Sequence, residues 1–339
     1  MIIICETKAT ETQIAALQQK IRDAGLEVHR SDGVEHTILG VVGNRNRLDM
    51  EAISMMPGVR DVVLVSTPYK LASREFHPED SVVRVGESSL VGGMEVAVMA
   101  GPCAVESEEQ IEASAAFVAA CGAQILRGGA FKPRSSPYSF QGLGEQGLEI
   151  LCSAARRHGL TVVTEILSEH DVELVGRYTG VFQVGARNMQ NFALLKALGE
   201  TRIPVLLKRS MMGTIEELLL SAEYIMKGGN PHVILCERGI RTFETETRNT
   251  LDIGAVPAIK RLSHLPILVD PSHAMGDWHY VPSASMAALA AGADGIIIEI
   301  HPNPVEAKSD GKQSLNYAHF EDLLGRLKDL APHLGATVR

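Results

Sequence analysis

The chain has 339 residues, enough for one large domain plus a small one with a sizeable core. Charged residues make up 22% and hydrophobic residues 45%, ordinary globular values that argue against disorder. Acidic residues outnumber basic ones 41 to 32, and the resulting net charge of -9 speaks against non-specific binding to nucleic acid or to an anionic membrane surface.

The five cysteines, Cys5, Cys103, Cys121, Cys152 and Cys236, follow no repeating spacing, and an odd number cannot close fully into disulfides within the chain. A reducing cytoplasm is the expected location. No basic segment precedes the short apolar run at Ile2, and no stretch approaches the roughly 20 apolar residues of a membrane span. Neither export nor membrane insertion is expected.

In chain order, the first elements expected are a strand at Ile2 to Ile4, a helix from Thr10 to Ala24, and strands near Glu27 to Arg30 and Thr37 to Val42. A helix near Leu48 to Met56 and a strand at Val59 to Val65 follow. Thr10 and Gln13 have capping-box spacing, and Gly25 stands where that helix would stop. The order strand, helix, strand, strand, helix, strand is the ferredoxin-like unit, which by itself says little about function. From Ser66 to Gly93, prolines, charges and the Gly92-Gly93 pair break the pattern around one strand-like piece at Val82 to Val85, predicting a linker with a possible hairpin.

Beyond Gly93 the regime changes. Unbroken Val/Ile/Leu runs alternate with helical segments. Strands are expected at Val96 to Ala100, Gln124 to Arg127, Thr161 to Glu165 and Val181 to Val184, then at Pro204 to Lys208, His232 to Cys236, Pro266 to Asp270 and Gly295 to Ile300. Helices are expected to start near Ser107, Glu145, Ser168, Asn191, Thr214, Ile253 and Ser283, with a last one from Ala318 to Leu330. Capping-box spacing supports the starts at Ser107 and Thr214. Continuous apolar runs mean strands covered on both faces. Eight such units in about 245 residues fit a (β/α)₈ or TIM barrel. An open doubly wound sheet would carry a glycine-rich dinucleotide turn after its first strand, and Gly101-Pro102-Cys103-Ala104 is not one. The predicted fold is therefore α/β, with a small βαββαβ domain at 1–66, a linker at 67–93 and the barrel at 94–339.

In such a barrel the carboxyl ends of the strands meet at one face. There the sequence places Arg127, Lys132, Arg187, Lys208, Arg209 and Arg238, cations that repel one another unless something anionic is bound among them. Arginine suits bidentate capture of phosphate or carboxylate, and lysine a movable charge or proton donor. Lys208 also has the position of a Schiff-base nucleophile, and both readings stay open. Cys103, His273, Glu299 and Asp310 offer a thiolate, an imidazole and two carboxylates, suited to one divalent ion of the manganese, iron, cobalt or zinc class. Magnesium alone would not need the sulfur, and the alternative for Cys103 by itself is a small buried apolar side chain.

These residues sit in the motifs Ala100-Gly-Pro-Cys-Ala-Val-Glu-Ser107, Leu126-Arg-Gly-Gly-Ala-Phe-Lys-Pro-Arg-Ser-Ser136, Gln183-Val-Gly-Ala-Arg-Asn188, Leu207-Lys208-Arg209, Cys236-Glu-Arg-Gly239 and Val269-Asp-Pro-Ser-His273. Through them the whole chain resembles the 3-deoxy-7-phosphoheptulonate synthase family, in the form with an amino-terminal ferredoxin-like domain. The resemblance implies condensation of phosphoenolpyruvate with erythrose 4-phosphate, the opening step of the shikimate pathway to aromatic amino acids. It places the metal on Cys103, His273, Glu299 and Asp310, and the phosphoenolpyruvate on Arg127, Lys132, Arg187, Lys208 and Arg238. The erythrose phosphate falls to Arg134 with Ser135 or Ser136. Lys132 is the expected proton donor to the new hydroxyl, with a metal-bound water or His301 as its competitors. An aromatic amino acid effector at residues 1–66 and a homotetramer also follow from the resemblance.

The 3-deoxy-D-manno-octulosonate 8-phosphate synthases, which take arabinose 5-phosphate, are similar. Their loop typically reads Lys-Ala-Asn-Arg-Ser, whereas Lys132-Pro133-Arg134-Ser135 is one residue shorter and so favours the shorter sugar. A third reading, a non-catalytic amino-acid sensor, would predict lost ligands or cations, and none is lost.

Overall fold

The computed structural model describes residues 1–33, 36–43, 48–63, 68–87, 89–133, 136 and 138–338. They form two compact units, one of Met1–Asp80 with Arg261–His264, the other of Ser81–Lys260 with Leu265–Arg339. Residues 68–80 thus group with the first unit.

The first unit runs β1 (Ile2–Cys5), α1 (Glu11–Asp23), β2 (Glu27–Asp32), β3 (Thr37–Val42), α2 (Met50–Ser54) and β4 (Val59–Val63). The far end of the strand expected to reach Val65 lies outside the described residues. The sheet order is β2-β3-β1-β4, with β1 antiparallel to both neighbours, as a ferredoxin-like unit requires. Thr10 and Gln13 close the expected capping box. One face of α1, carrying Ile14, Leu17 and Ile21, packs with Ile3, Leu39, Val41 and Ile53 into the core.

The second unit opens with a short hairpin, β5 (Val83–Val85) and β6 (Ser89–Val91). Eight parallel strands follow: β7 (Glu95–Gly101), β8 (Ile125–Arg127), β9 (Thr161–Ile166), β10 (Val181–Val184), β11 (Val205–Lys208), β12 (Val233–Glu237), β13 (Ile267–Val269) and β14 (Gly295–Glu299). They pair in sequence order, and β14 closes on β7 through Gly295↔Ala97 to Glu299↔Gly101. Val83, Val85 and Val91 of the hairpin pack with the inward residues Ala97, Met99, Ile125, Val163, Leu206, Ile234 and Ile297, so the hairpin fills one end of the barrel. The other end is left for chemistry.

Between strands run α3 (Glu108–Ala120), α4 (Glu145–Arg157), α5 (Val172–Gly176), α6 (Phe192–Gly199), α7 (Ile215–Lys227), α8 (Ala255–Leu262), α9 (Pro271–Met275) and α10 (Val281–Ala290), and α11 (Tyr317–Leu330) follows β14. Thr214 and Glu217 form a full capping box. Ser107 makes only half of one. It accepts from Gln110 N, but the buried Gln110 turns its side chain to Glu106 N and Ala104 O instead of the Ser107 amide. The short α9 was not expected, although Asp270 as N-cap, Pro271 at the first position and a left-handed Gly276 after Met275 are its ordinary signals. Nor was β15 (Thr337–Val338), which adds in parallel to the start of β7. Among the described residues no helix is long and apolar enough to cross a membrane.

Candidate functional site

Cys103 follows β7, Glu299 ends β14, His273 sits in α9, and Asp310 occupies a turn at φ 53, among the described residues the only non-glycine at positive φ. One ligand atom from each of the four lies within 4.8 Å of all the others. Asp270 caps α9 and accepts from His273 N at 2.9 Å and from His273 Nδ1 at 2.7 Å. Nδ1 therefore carries a proton, which leaves Nε2, 3.3 Å from Glu299 Oε1, as the ring nitrogen available to a ligand. The quartet thus fits a divalent ion in its donor chemistry and in the tautomer its surroundings impose.

Local electrostatics favour the same ionisation. Burial pushes the carboxyls of Glu299 and Asp310 up, but His273 with Arg127 outweighs it at Glu299, and His273 with Arg248 brings Asp310 down to about 2. Without an ion the Cys103 thiol is pushed up to about 12, by burial first and by Glu299 second. Its sulfur stands 3.2 Å from Asp310 Oδ2, 3.0 Å from Ser309 Oγ and 3.1 Å from Lys132 Nζ.

Beside the quartet opens a cavity of about 350 Å³. Lys132, Ser136, Arg187, Lys208, Arg238, His273 and Asp310 line it, all of them residues the sequence singled out. Arg134 and Ser135 lie outside the described residues. Burial depresses the Arg238 guanidinium, and its buried Nη1 has no partner among the described residues. Lys132 Nζ donates to Cys103 O at 2.9 Å, and although burial pulls its pKa down, Cys103 and Glu165 raise it overall. Gly185 matters here because a methyl group in its place would run into the Glu165 carboxylate on the cavity wall. Gly101 is needed where β7 passes β8, since its φ is 153 and a methyl would meet the Arg127 carbonyl.

The expected mutual repulsion of the cations is largely answered by buried acids. Lys208 Nζ bonds Asp270 Oδ2 at 2.5 Å, and Arg127 Nη1 bonds Glu299 Oε1 at 2.9 Å, behind the open cavity. Arg209 does not join the cluster. Successive strand residues point to opposite sides, so while Lys208 faces the cavity, Arg209 turns to Glu237 at 2.9 Å and Asp252 at 2.8 Å. His301 is buried, with Nδ1 accepting from Asn303 N and Nε2 lying 3.6 Å from Glu106 Oε2, and is not part of the cavity lining. Sequence reasoning missed Arg248, Ser139 and Met211 on the wall, because no motif or apolar strand end marks them, and it gave no role to Gln183, although that residue opens one of the motifs.

Fold and site define a barrel enzyme that gathers cations beside four convergent metal-type donors. The chain belongs to the DAHP synthetase I family, whose profile matches residues 77–335, and residues 1–67 match the DAHP synthase ferredoxin-like domain. It is 51% identical over 338 residues to a phospho-2-dehydro-3-deoxyheptonate aldolase of Thermotoga maritima, covering 100% of each chain. A crystal structure of the Thermotoga maritima phospho-2-dehydro-3-deoxyheptonate aldolase (DAHP synthase) superposes with a TM-score of 0.80 at 50% identity, over 100% of this chain and 99% of the other. Similarity to a 2-dehydro-3-deoxyphosphooctonate aldolase of Protochlamydia amoebophila is lower, 30% over 253 residues, covering 69% of this chain and 90% of that one.

Proposed function

We infer that the protein condenses phosphoenolpyruvate with erythrose 4-phosphate to 3-deoxy-D-arabino-heptulosonate 7-phosphate and phosphate, the first step of the aromatic pathway, with one divalent ion on Cys103, His273, Glu299 and Asp310. The observation that carries the reading is the buried Nη1 of Arg238, without a partner among the described residues, in a cavity that also holds Arg187, Lys132 and Lys208 next to that quartet. A buried cation without a partner costs stability, and an anionic ligand removes that cost.

Arg187, Arg238 and Lys208 hold the phosphate and carboxylate of phosphoenolpyruvate, with Arg127 bracing Glu299 from behind. Arg134 with Ser135 or Ser136 holds the phosphate of the sugar. Fixed cations bring two anions together that repel in water, so most of the rate comes from proximity and preorganised charge. An ion held by Cys103, His273, Glu299 and Asp310 would supply Lewis-acid polarisation of the aldehyde oxygen. Carbon 3 of phosphoenolpyruvate then bonds the aldehyde carbon, and Lys132, whose Nζ is 3.1 Å from Cys103 Sγ, gives a proton to the new hydroxyl. His301, off the cavity lining, is the weaker candidate. Water adds to carbon 2 and gives up one proton, and as the bond from carbon 2 to the phosphate oxygen breaks the remaining hydroxyl loses its proton and becomes the keto group; one proton restores Lys132 and the other leaves with the phosphate. The 2.5 Å ion pair of Lys208 with Asp270 favours a charge-holding ammonium over an imine nucleophile.

Residues 1–66 are read as a regulatory domain for an aromatic amino acid, in a cytoplasmic homotetramer. Three measurements test these readings. Phosphoenolpyruvate is mixed with erythrose 4-phosphate or arabinose 5-phosphate, with and without a chelator; tyrosine or phenylalanine is then titrated in; and the mass in solution is measured. Preference for the pentose, turnover indifferent to the chelator, or indifference to both amino acids would each remove its part of the reading.

A further inference from the structure

Gln313 is 2% exposed and closes the single turn Gly311–Gln313 that follows Asp310. Its Nε2 donates to Glu299 Oε2 at 2.6 Å, and its Oε1 accepts from Arg248 Nη1 at 2.8 Å. Each bond requires the other. A carboxylate only accepts and a guanidinium only donates, so a neutral side chain bridging them must offer N–H at one end and a carbonyl at the other. Turning the amide over would set donor against donor at Arg248 and acceptor against acceptor at Glu299. Glutamate at this position would repel Glu299, and lysine would repel Arg248.

The other oxygen of Glu299 accepts from Arg127, so this carboxylate is held at both ends. Arg248 in turn lines the cavity and reaches Asp310 Oδ1 at 3.3 Å. We propose that Gln313 is a positioning residue, which holds Glu299 in its metal-binding orientation and, through Arg248, ties that ligand to the wall of the substrate cavity. The inference rests on the metal reading of the quartet given above. Hydrogen-bond partners of metal-ligating carboxylates govern affinity by about 10–100-fold.

The test is titration of metal-free protein with Co²⁺ against a chromophoric chelator, together with the visible absorption of the bound Co²⁺. Wild type, Gln313→Met, Arg248→Met and the double variant are compared. Gln313→Met is expected to bind Co²⁺ at least about tenfold more weakly and to shift its absorption bands. In the Arg248→Met background, where the amide keeps only its bond to Glu299, the same substitution should cost clearly less. Wild-type affinity and bands in Gln313→Met would overturn the positioning role, and an equal cost in both backgrounds would overturn the tie through Arg248. If Gln313→Met does not fold, Gln313→Asn, whose amide is one methylene shorter and cannot span both partners, takes its place in the same comparison: shifted bands support the proposal and wild-type bands end it. Wild type that binds no Co²⁺ sinks this inference and the metal reading together, whereas tight wild-type binding with an unaffected Gln313→Met sinks the inference alone.

Discussion

The carboxylate of Asp270 accepts from His273 Nδ1 at 2.7 Å, and this bond decides which ring nitrogen faces the other three donors of the quartet. The same Oδ2 holds Lys208 Nζ at 2.5 Å, so one buried acid orients the histidine of the quartet and neutralises a cation of the cavity wall. Asp270→Asn loses both functions. Co²⁺ affinity should fall by about 10–100-fold, the usual cost of removing the partner of a ligating histidine. Metal-free protein should also lose about 3 kcal/mol in urea unfolding, because Lys208 is left buried without its counter-charge. Unchanged values in both experiments would remove Asp270 from this role.

Arg238 gives the opposite sign for stability. Its guanidinium is depressed by burial, and its Nη1 lacks a partner among the described residues. Replacing it by methionine removes a buried guanidinium that burial penalises and that carries an unbonded N–H. Arg238→Met should therefore melt no lower than wild type while the KM for phosphoenolpyruvate rises by about 10-fold or more, the worth of a charge-assisted hydrogen bond. A variant that melts several degrees lower with KM unchanged would make Arg238 a structural residue.

How far the sequence spoke follows from what each signal depends on. The eight barrel strands were legible because strands buried on both faces need unbroken apolar runs, and Cys103, His273 and Glu299 because they stand at or just past such a run, whereas Asp310 lies further along the segment after β14. The partners of the cations were not legible. Asp270 lies 62 positions from Lys208, Asp252 lies 43 from Arg209, and Gln313 lies 65 from Arg248, distances over which only the closed barrel brings side chains together. Arg209 was misplaced for a different reason. The alternation of neighbouring residues across a strand, which sends it away from Lys208, is a rule the sequence already contained.

The quartet predicts metal dependence with a definite ligand signature. A chelator should abolish turnover, and manganese, cobalt or zinc should restore it. Cys103→Ser keeps a small buried side chain beside Ser309 and Asp310 but replaces the sulfur donor. Its turnover at matched metal concentration should drop by more than about 100-fold, beyond the loss of an outer hydrogen-bond partner, and the sulfur-to-metal charge-transfer absorption of the Co²⁺ form should vanish. Retention of that absorption in Cys103→Ser would place the metal elsewhere.

His264 makes the stability of the protein depend on pH. The ring is buried, stacks on His77 at 4.5 Å between centroids, and donates from Nε2 to the carbonyl of Leu71 at 2.7 Å. Burial, with the positive charges of His77 and Arg74, brings its pKa from 6.5 down to about 4. Between those values the unfolded chain binds a proton that the folded chain does not, so this histidine's contribution is fully present above pH 6.5 and is lost as the pH falls toward 4. The loss amounts to about 3 kcal/mol. His264→Gln keeps an N–H for Leu71 and cannot titrate. Thermal midpoints measured from pH 7 to pH 4.5 should fall less steeply for His264→Gln than for wild type, the two curves converging or crossing at the acid end. Parallel curves would assign the acid sensitivity to the carboxylates and leave His264 without a part in it.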